Sequence, residues 1–158
     1  MIFYETNLPG VFIVEPELLH DDRGFFACAW LASEFEQQGL NAAMTQCNIS
    51  FNGRRGTVRG MHLQRKPHEE AKLIRCTRGS IYDVAIDMRP DSATRYQWVG
   101  AELTADNHRM LYIPEGFAHG YQTLTDDSEL FYQISEYYHP ESATGVRWDD
   151  PAFGISRG

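Results

Sequence analysis

The chain has 158 residues, with 14 Lys+Arg against 22 Asp+Glu for a formal net charge of −8 with His neutral, and it is 42% apolar and 13% aromatic. This length suits one domain, and the apolar content excludes a disordered chain. The acidic balance argues against nucleic acid or an anionic membrane as the main partner, so an anionic ligand needs a local cationic pocket.

In chain order, the N-terminus Met1-Ile-Phe-Tyr-Glu-Thr6 lacks the basic and long apolar regions of a signal peptide, and no apolar run approaches the length that crosses a bilayer. Residues 10–15 read as a strand ended by Pro16. Ser33-x-x-Glu36 has a capping-box pattern, opening a short amphipathic helix that Gly39 closes. Strand candidates follow at 72–75, 80–88, 97–103, 109–113, 120–124 and 129–137. In the 80–88 run, Tyr82, Val84, Ile86 and Met88 share one face, and Ile81, Asp83, Ala85 and Asp87 the other. Two acids on that second face make it either solvent-facing or the wall of a polar cavity.

Short alternating runs separated by Gly, Pro, Asn and Asp, with no repeat or linker-like stretch, predict one all-β domain over residues 1–158. The expected architecture is a jelly-roll β-barrel with one or two short peripheral helices. Three cysteines (Cys28, Cys47, Cys76) without Cys-x-x-Cys spacing predict neither a disulfide framework nor a thiolate zinc site, and point to a reducing, cytoplasmic compartment.

Two clusters stand out chemically. One is Gly56-Thr-Val-Arg59-Gly60-Met61-His62-Leu63-Gln64, followed by His68, Glu69, Glu70 and Lys72. The other, Ile113-Pro-Glu-Gly116-Phe-Ala-His119-Gly120, uses a Pro and two Gly to deliver a second His into a strand. Strand parity puts Arg59 opposite His62, so both reach one pocket only if Gly60 bulges or the strand begins there.

Gly56-x5-His62 and Pro114-x-Gly116-x-x-His119 resemble the two motifs of the cupin superfamily. More narrowly, Asp22-Arg23-Gly24-Phe25-Phe26, Gln46-x-Asn48-x-Ser50, Val58 to Gln64, Lys72-Leu73-Ile74, Tyr82 to Arg89, Ile113 to Gly120 and Tyr137-Tyr138-x-Pro140 resemble the dTDP-4-dehydrorhamnose 3,5-epimerase family. The match runs from about Glu15 to Ile155, in the same motif order.

The resemblance implies a cupin-type jelly roll and epimerisation next to a ketone with no cofactor and no metal. Gln64, a poor ligand beside imidazole, occupies the position of a second metal-binding His in other cupins. Such chemistry needs a base, a group that stabilises the enolate oxygen, and an acid on the opposite face. The resemblance assigns these to His62, Lys72 and Tyr132. It also places Arg23 and Arg59 on a nucleotide diphosphate, Gln46, Asn48 and His119 in the substrate cleft, and Tyr138 against the base. The partner it implies is a nucleotide-sugar substrate, in a homodimer whose N-terminal strand segment, carrying Arg23, crosses to the neighbouring subunit.

Three departures from the family pattern bear on the chemistry. The aspartate that orients the family's base lies beyond the stretch matched by Trp148-Asp149-Asp150-Pro151, and the sequence ends at Gly158. Asp83 is the replacement candidate for holding His62; otherwise the activity is reduced or altered. Cys28 stands where the family often has Glu, and the loop 51–56 is about one residue longer. The alternatives are inversion at only one of C3 and C5, a sugar 3,4-ketoisomerase, a metal-dependent cupin dioxygenase, and a non-catalytic sugar-nucleotide-binding cupin.

Overall fold

The structure, a computed structural model, describes residues 1–156. Among these, the strands in order are β1 (Ile2–Glu5), β2 (Phe12–Glu15), β3 (Leu19–Asp21), β4 (Gly24–Phe26), β5 (Gln46–Asn52), β6 (Val58–Gln64) and β7 (Lys72–Arg78). They continue with β8 (Ser80–Asp87), β9 (Trp98–Thr104), β10 (Met110–Ile113), β11 (Phe117–Thr123), β12 (Ser128–Ile134) and β13 (Ala143–Gly145). A single helix, α1 (Ala32–Gln37), lies between β4 and β5. One antiparallel sheet has the order β1-β2-β10-β7-β12-β5 and the other β13-β6-β11-β8-β9, while β3 and β4 form a separate hairpin. The two sheets share a core in which Ile74, Leu111 and Leu130 of the first meet Ile81, Ala85, Leu103 and Phe117 of the second. This is the expected jelly-roll barrel.

Alternation sorts the side chains of each strand. The face of β8 that carries two acids turns inward: Ile81 and Ala85 join the core, and Asp83 and Asp87 are fully buried. Asp87 accepts hydrogen bonds from Arg89, Ser92 and Thr94. Burial alone would raise its pKa, yet these bonds hold it well below the usual carboxylate range. The opposite face, with Val84 and Ile86, is covered by Val146, Trp148, Phe153 and Ile155. In β5 the pattern is inverted, since Gln46, Asn48, Ser50 and Asn52 point inward while Cys47, Ile49 and Phe51 are exposed. That inversion hides the strand from a reading that expects apolar residues inside.

The helix corrects one expectation. Its N-cap is Leu31, in extended backbone with no side-chain cap, so Ser33 lies inside the helix and forms no capping box. Phase is set instead by Phe35, fully buried against Phe3, Trp30 and Tyr112, and by the Met1 ammonium, 2.9 Å from Glu34 Oε2. Gly39 does close the helix, at φ +75°.

The feature that positions the site is a bulge in β6. Opposite β11, His62 pairs with His119 and Arg59 with Tyr121, so three steps along β6 match two along β11. The extra residue reverses the parity between Arg59 and His62 and turns both toward one cavity. A Cβ at Gly60 would sit 2.6 Å from Gly120 Cα and 2.7 Å from His119 O, and Gly60 has φ +112°. A Cβ at Gly120 would sit 2.7 Å from Arg59 O. Both obstacles are backbone, so neither can rotate away. Gly60→Ala is therefore expected to cost about 3 kcal/mol, lowering the thermal midpoint by roughly 10 °C. A wild-type midpoint for this variant would contradict the close approach.

Candidate active site

Two adjoining cavities of about 550 and 420 Å³ lie between the sheets and share His62, Lys72 and Tyr132 in their walls. Gln46, Asn48, Gln64, Glu70 and Tyr138 line the larger one. Ser50, Arg59, His119 and Tyr121 line the smaller. His62 enters from β6 in the five-stranded sheet, whereas Lys72 on β7 and Tyr132 on β12 enter from the six-stranded sheet. The cleft thus places an imidazole and a phenol on opposite walls, with an ammonium beside the phenol's strand.

His62 reaches solvent through the cavity mouth. Its surroundings, first through burial and then through the charges of Lys72 and His119, push its pKa below the usual imidazole value of 6.5. A neutral imidazole at neutral pH is a competent proton acceptor. Tyr132 is half-buried, and desolvation raises its pKa above 10 despite its hydrogen bond with Asn48, so the phenol keeps its proton. Lys72 Nζ lies 3.3 Å from Glu70 Oε1, both side chains being only 9% exposed. Glu70 is a partner the sequence reading missed. The signal was present, because residues two apart in extended chain share a side.

The carboxylate expected to orient His62 is directed elsewhere. Asp83 Oδ1 lies 2.7 Å from His119 Nε2. The reason is strand order: β11 lies between β8 and β6, so Asp83 and His62 are separated by two strand spacings, about 9.5 Å. His119, on the intervening strand and paired in register with His62, takes the hydrogen bond instead. A buried Asp–His pair therefore stands behind the exposed imidazole.

Arg59 is aimed by a chain of polar contacts. Its Nε donates to Asn52 Oδ1 at 2.6 Å, Asn52 Nδ2 donates to Tyr121 Oη at 3.0 Å, and Ser50 Oγ is 2.7 Å from the same hydroxyl. Across the cleft, Gln46 Nε2 donates to Asn48 Oδ1, and Gln46 Oε1 accepts from the Tyr138 backbone N–H. Tyr138 lies at the rim and is 60% exposed. Arg23 is not in this cleft. It sits in the β3–β4 hairpin with its side chain 90% exposed, paired to Asp21 at 2.7 Å.

Three donors of a cupin metal set, those other than His62, are committed to protein partners. Gln64 Oε1 accepts from the His139 N–H at 2.7 Å, and its Nε2 donates to the carbonyls of His68 and Tyr137. Glu70 is held by Lys72 and His119 by Asp83. Gln64 thus acts as a buried clamp on two loops.

Known proteins resemble this chain in sequence and in fold. The family model described as dTDP-4-dehydrorhamnose 3,5-epimerase matches residues 5–157. The enzyme of that name from Methanothermobacter thermautotrophicus is 44% identical over 97% of this chain and 82% of its own length. The crystal structure of the Bacillus anthracis dTDP-4-dehydrorhamnose 3,5-epimerase, with TDP and pyrophosphate bound, superposes with a TM-score of 0.94 at 42% identity, covering 98% of this chain and 88% of the other. The Legionella pneumophila epimerase in complex with dTDP-4-keto-L-rhamnose gives a TM-score of 0.91 at 35% identity, over 98% and 81% of the two chains. This chain belongs to the dTDP-4-dehydrorhamnose 3,5-epimerase family.

Proposed function

We propose that this protein is a metal-independent epimerase of a dTDP-linked 4-keto-6-deoxyhexose, needing no cofactor. The observation that carries this reading is the entry of His62 and Tyr132 into one cleft from opposite sheets. His62 removes the proton from a carbon next to the ketone, and the electrons move onto the ketone oxygen as an enolate. The Lys72 ammonium stabilises that charge. Tyr132 then protonates the same carbon from the other side, inverting it. Solvent at the open mouth removes the proton from His62 and reprotonates the tyrosine. Asp83 acts through His119, holding that ring beside His62 as a positioning pair.

Substrate holding follows from the same walls. Arg59, fixed by Asn52, supplies a guanidinium fork for the diphosphate. Gln46 and Asn48 contact the nucleotide side of the cleft, and Tyr138 at the rim offers a face for the base. The TDP and dTDP-sugar in the relatives' structures support this ligand class.

We place the protein in a homodimer located in the cytoplasm, in line with its three free thiols. The hairpin that carries Arg23 exposes Leu19, Phe25 and Phe26, and β5 exposes Ile49 and Phe51. A second copy would cover these surfaces and receive Arg23 at its cleft. Sedimentation is expected to give twice the 18.1 kDa chain mass; a monomer at micromolar concentration would contradict the subunit crossing.

Incubation with dTDP-4-keto-6-deoxyglucose in deuterated water is expected to place deuterium at C3 and C5 with inversion. His62→Gln is expected to slow this by about 10³-fold or more. No exchange by folded protein sinks the reading, and exchange at a single carbon identifies a mono-epimerase. A product with the ketone moved to C3 identifies a ketoisomerase, and binding of dTDP without turnover a binding protein. Because the His62 pKa is depressed, the base stays neutral as pH falls through 6.5. The acid limb of kcat/KM should therefore lie below 6.5, and the raised Tyr132 pKa keeps the alkaline limb above 10. An acid limb above 6.5 would contradict the assigned base environment.

A further inference from the structure

Beside the cleft, and outside the proposed chemistry, the two loops clamped by Gln64 bring together His68, His139 and Glu141. Each offers one ligand atom, and these atoms all lie within 4.8 Å of one another. The two imidazoles are stacked, with centroids 3.4 Å apart and planes 13° apart.

The cluster is built from several independent supports. Gln64 fixes both backbones, donating to the His68 carbonyl at 2.8 Å and accepting from the His139 N–H at 2.7 Å. His68 Nδ1 is 2.9 Å from Ser142 Oγ. His139 has a carboxylate at each ring nitrogen, Glu141 Oε1 at 3.1 Å from Nδ1 and Glu136 Oε1 at 3.4 Å from Nε2. A ring that ligates through one nitrogen while a hydroxyl or carboxylate holds the other is the arrangement that fixes the tautomer of a metal-bound imidazole. Two nitrogens with one carboxylate oxygen, and Glu136 close by, match zinc and its neighbours better than the oxygen-only preference of calcium or magnesium.

We propose that His68, His139 and Glu141 form a binding site for a divalent cation of the zinc class at the rim of the substrate cleft. The cation ties the loop after β6 to the loop before β13. Tyr138, Ala143 and Thr144 belong to that second stretch and line the cleft, so binding stiffens the wall expected to face the nucleotide base. The site is separate from the cupin metal position at His62, Gln64, Glu70 and His119. It does not depend on the proposed epimerase reading.

The test uses untagged, chelator-treated protein titrated with zinc chloride by calorimetry, and with cobalt chloride by visible absorption. One equivalent of zinc is expected to bind with a Kd in the micromolar range or tighter. His68→Gln and His139→Gln should each weaken binding at least tenfold. Glu141→Gln, at an exposed position where folding is undisturbed, should weaken it severalfold, while His62→Gln leaves it unchanged. Circular dichroism melts of each variant establish that the fold is kept. Absence of zinc binding, unchanged affinity in the folded His68, His139 and Glu141 variants, or loss of binding in His62→Gln would each overturn the proposal.

Discussion

The backbone contact between Gly60 and Gly120 is the constraint on which the rest of the site depends. Two strands come so close there that a single Cβ would strike the neighbouring main chain. The approach accommodates one extra residue in β6 and so changes which side of the sheet Arg59 presents. Without it, an ordinary alternating strand would send His62 and Arg59 to opposite faces. The proposed base and the proposed phosphate-binding group would then serve different surfaces.

The two sheets divide the proposed chemistry between them. The five-stranded sheet carries the imidazole and, behind it, the Asp83–His119 pair, while the six-stranded sheet carries Lys72, Tyr132 and the amides of Gln46 and Asn48. Inversion needs a proton acceptor and a donor on opposite faces of one carbon, and a barrel interior provides two facing walls without a moving part. The arrangement has a cost in stability. Lys72 and Glu70 are buried as an ion pair, which is at best weakly stabilising. Those inward positions are given to the site rather than to the core packing seen at Ile74 and Leu130 on the same faces.

Much of this was legible in the sequence, and the misses have physical reasons. The strands at 80–88, 97–103 and 109–113 announced themselves through alternation, and the two His-bearing motifs named the cavity wall. Strand β5 escaped because its inward residues are polar and its outward ones apolar, the reverse of an ordinary half-buried strand. The helix start was misplaced because burial of Phe35 and the Met1–Glu34 ion pair, both tertiary, outweighed the local pattern at Ser33. Asp83, whose face alternation left as either solvent-facing or a cavity wall, turns inward. Its partner was not predictable, because which histidine it meets depends on strand order across the sheet. The His68–His139 stack likewise arises from residues 71 positions apart, brought together by the Gln64 clamp and the His68–Ser142 contact.

In the proposed mechanism acid and base act from opposite sheets on a shared carbon, and Tyr132→Phe isolates that division. The variant keeps His62 and Lys72 in place, so the enolate still forms, and His62 returns a solvent-derived deuteron to the face it came from. In deuterated water, deuterium uptake at the reacting carbon is expected without inversion, read by NMR of the recovered sugar nucleotide. Inverted product from Tyr132→Phe at the wild-type rate would contradict it.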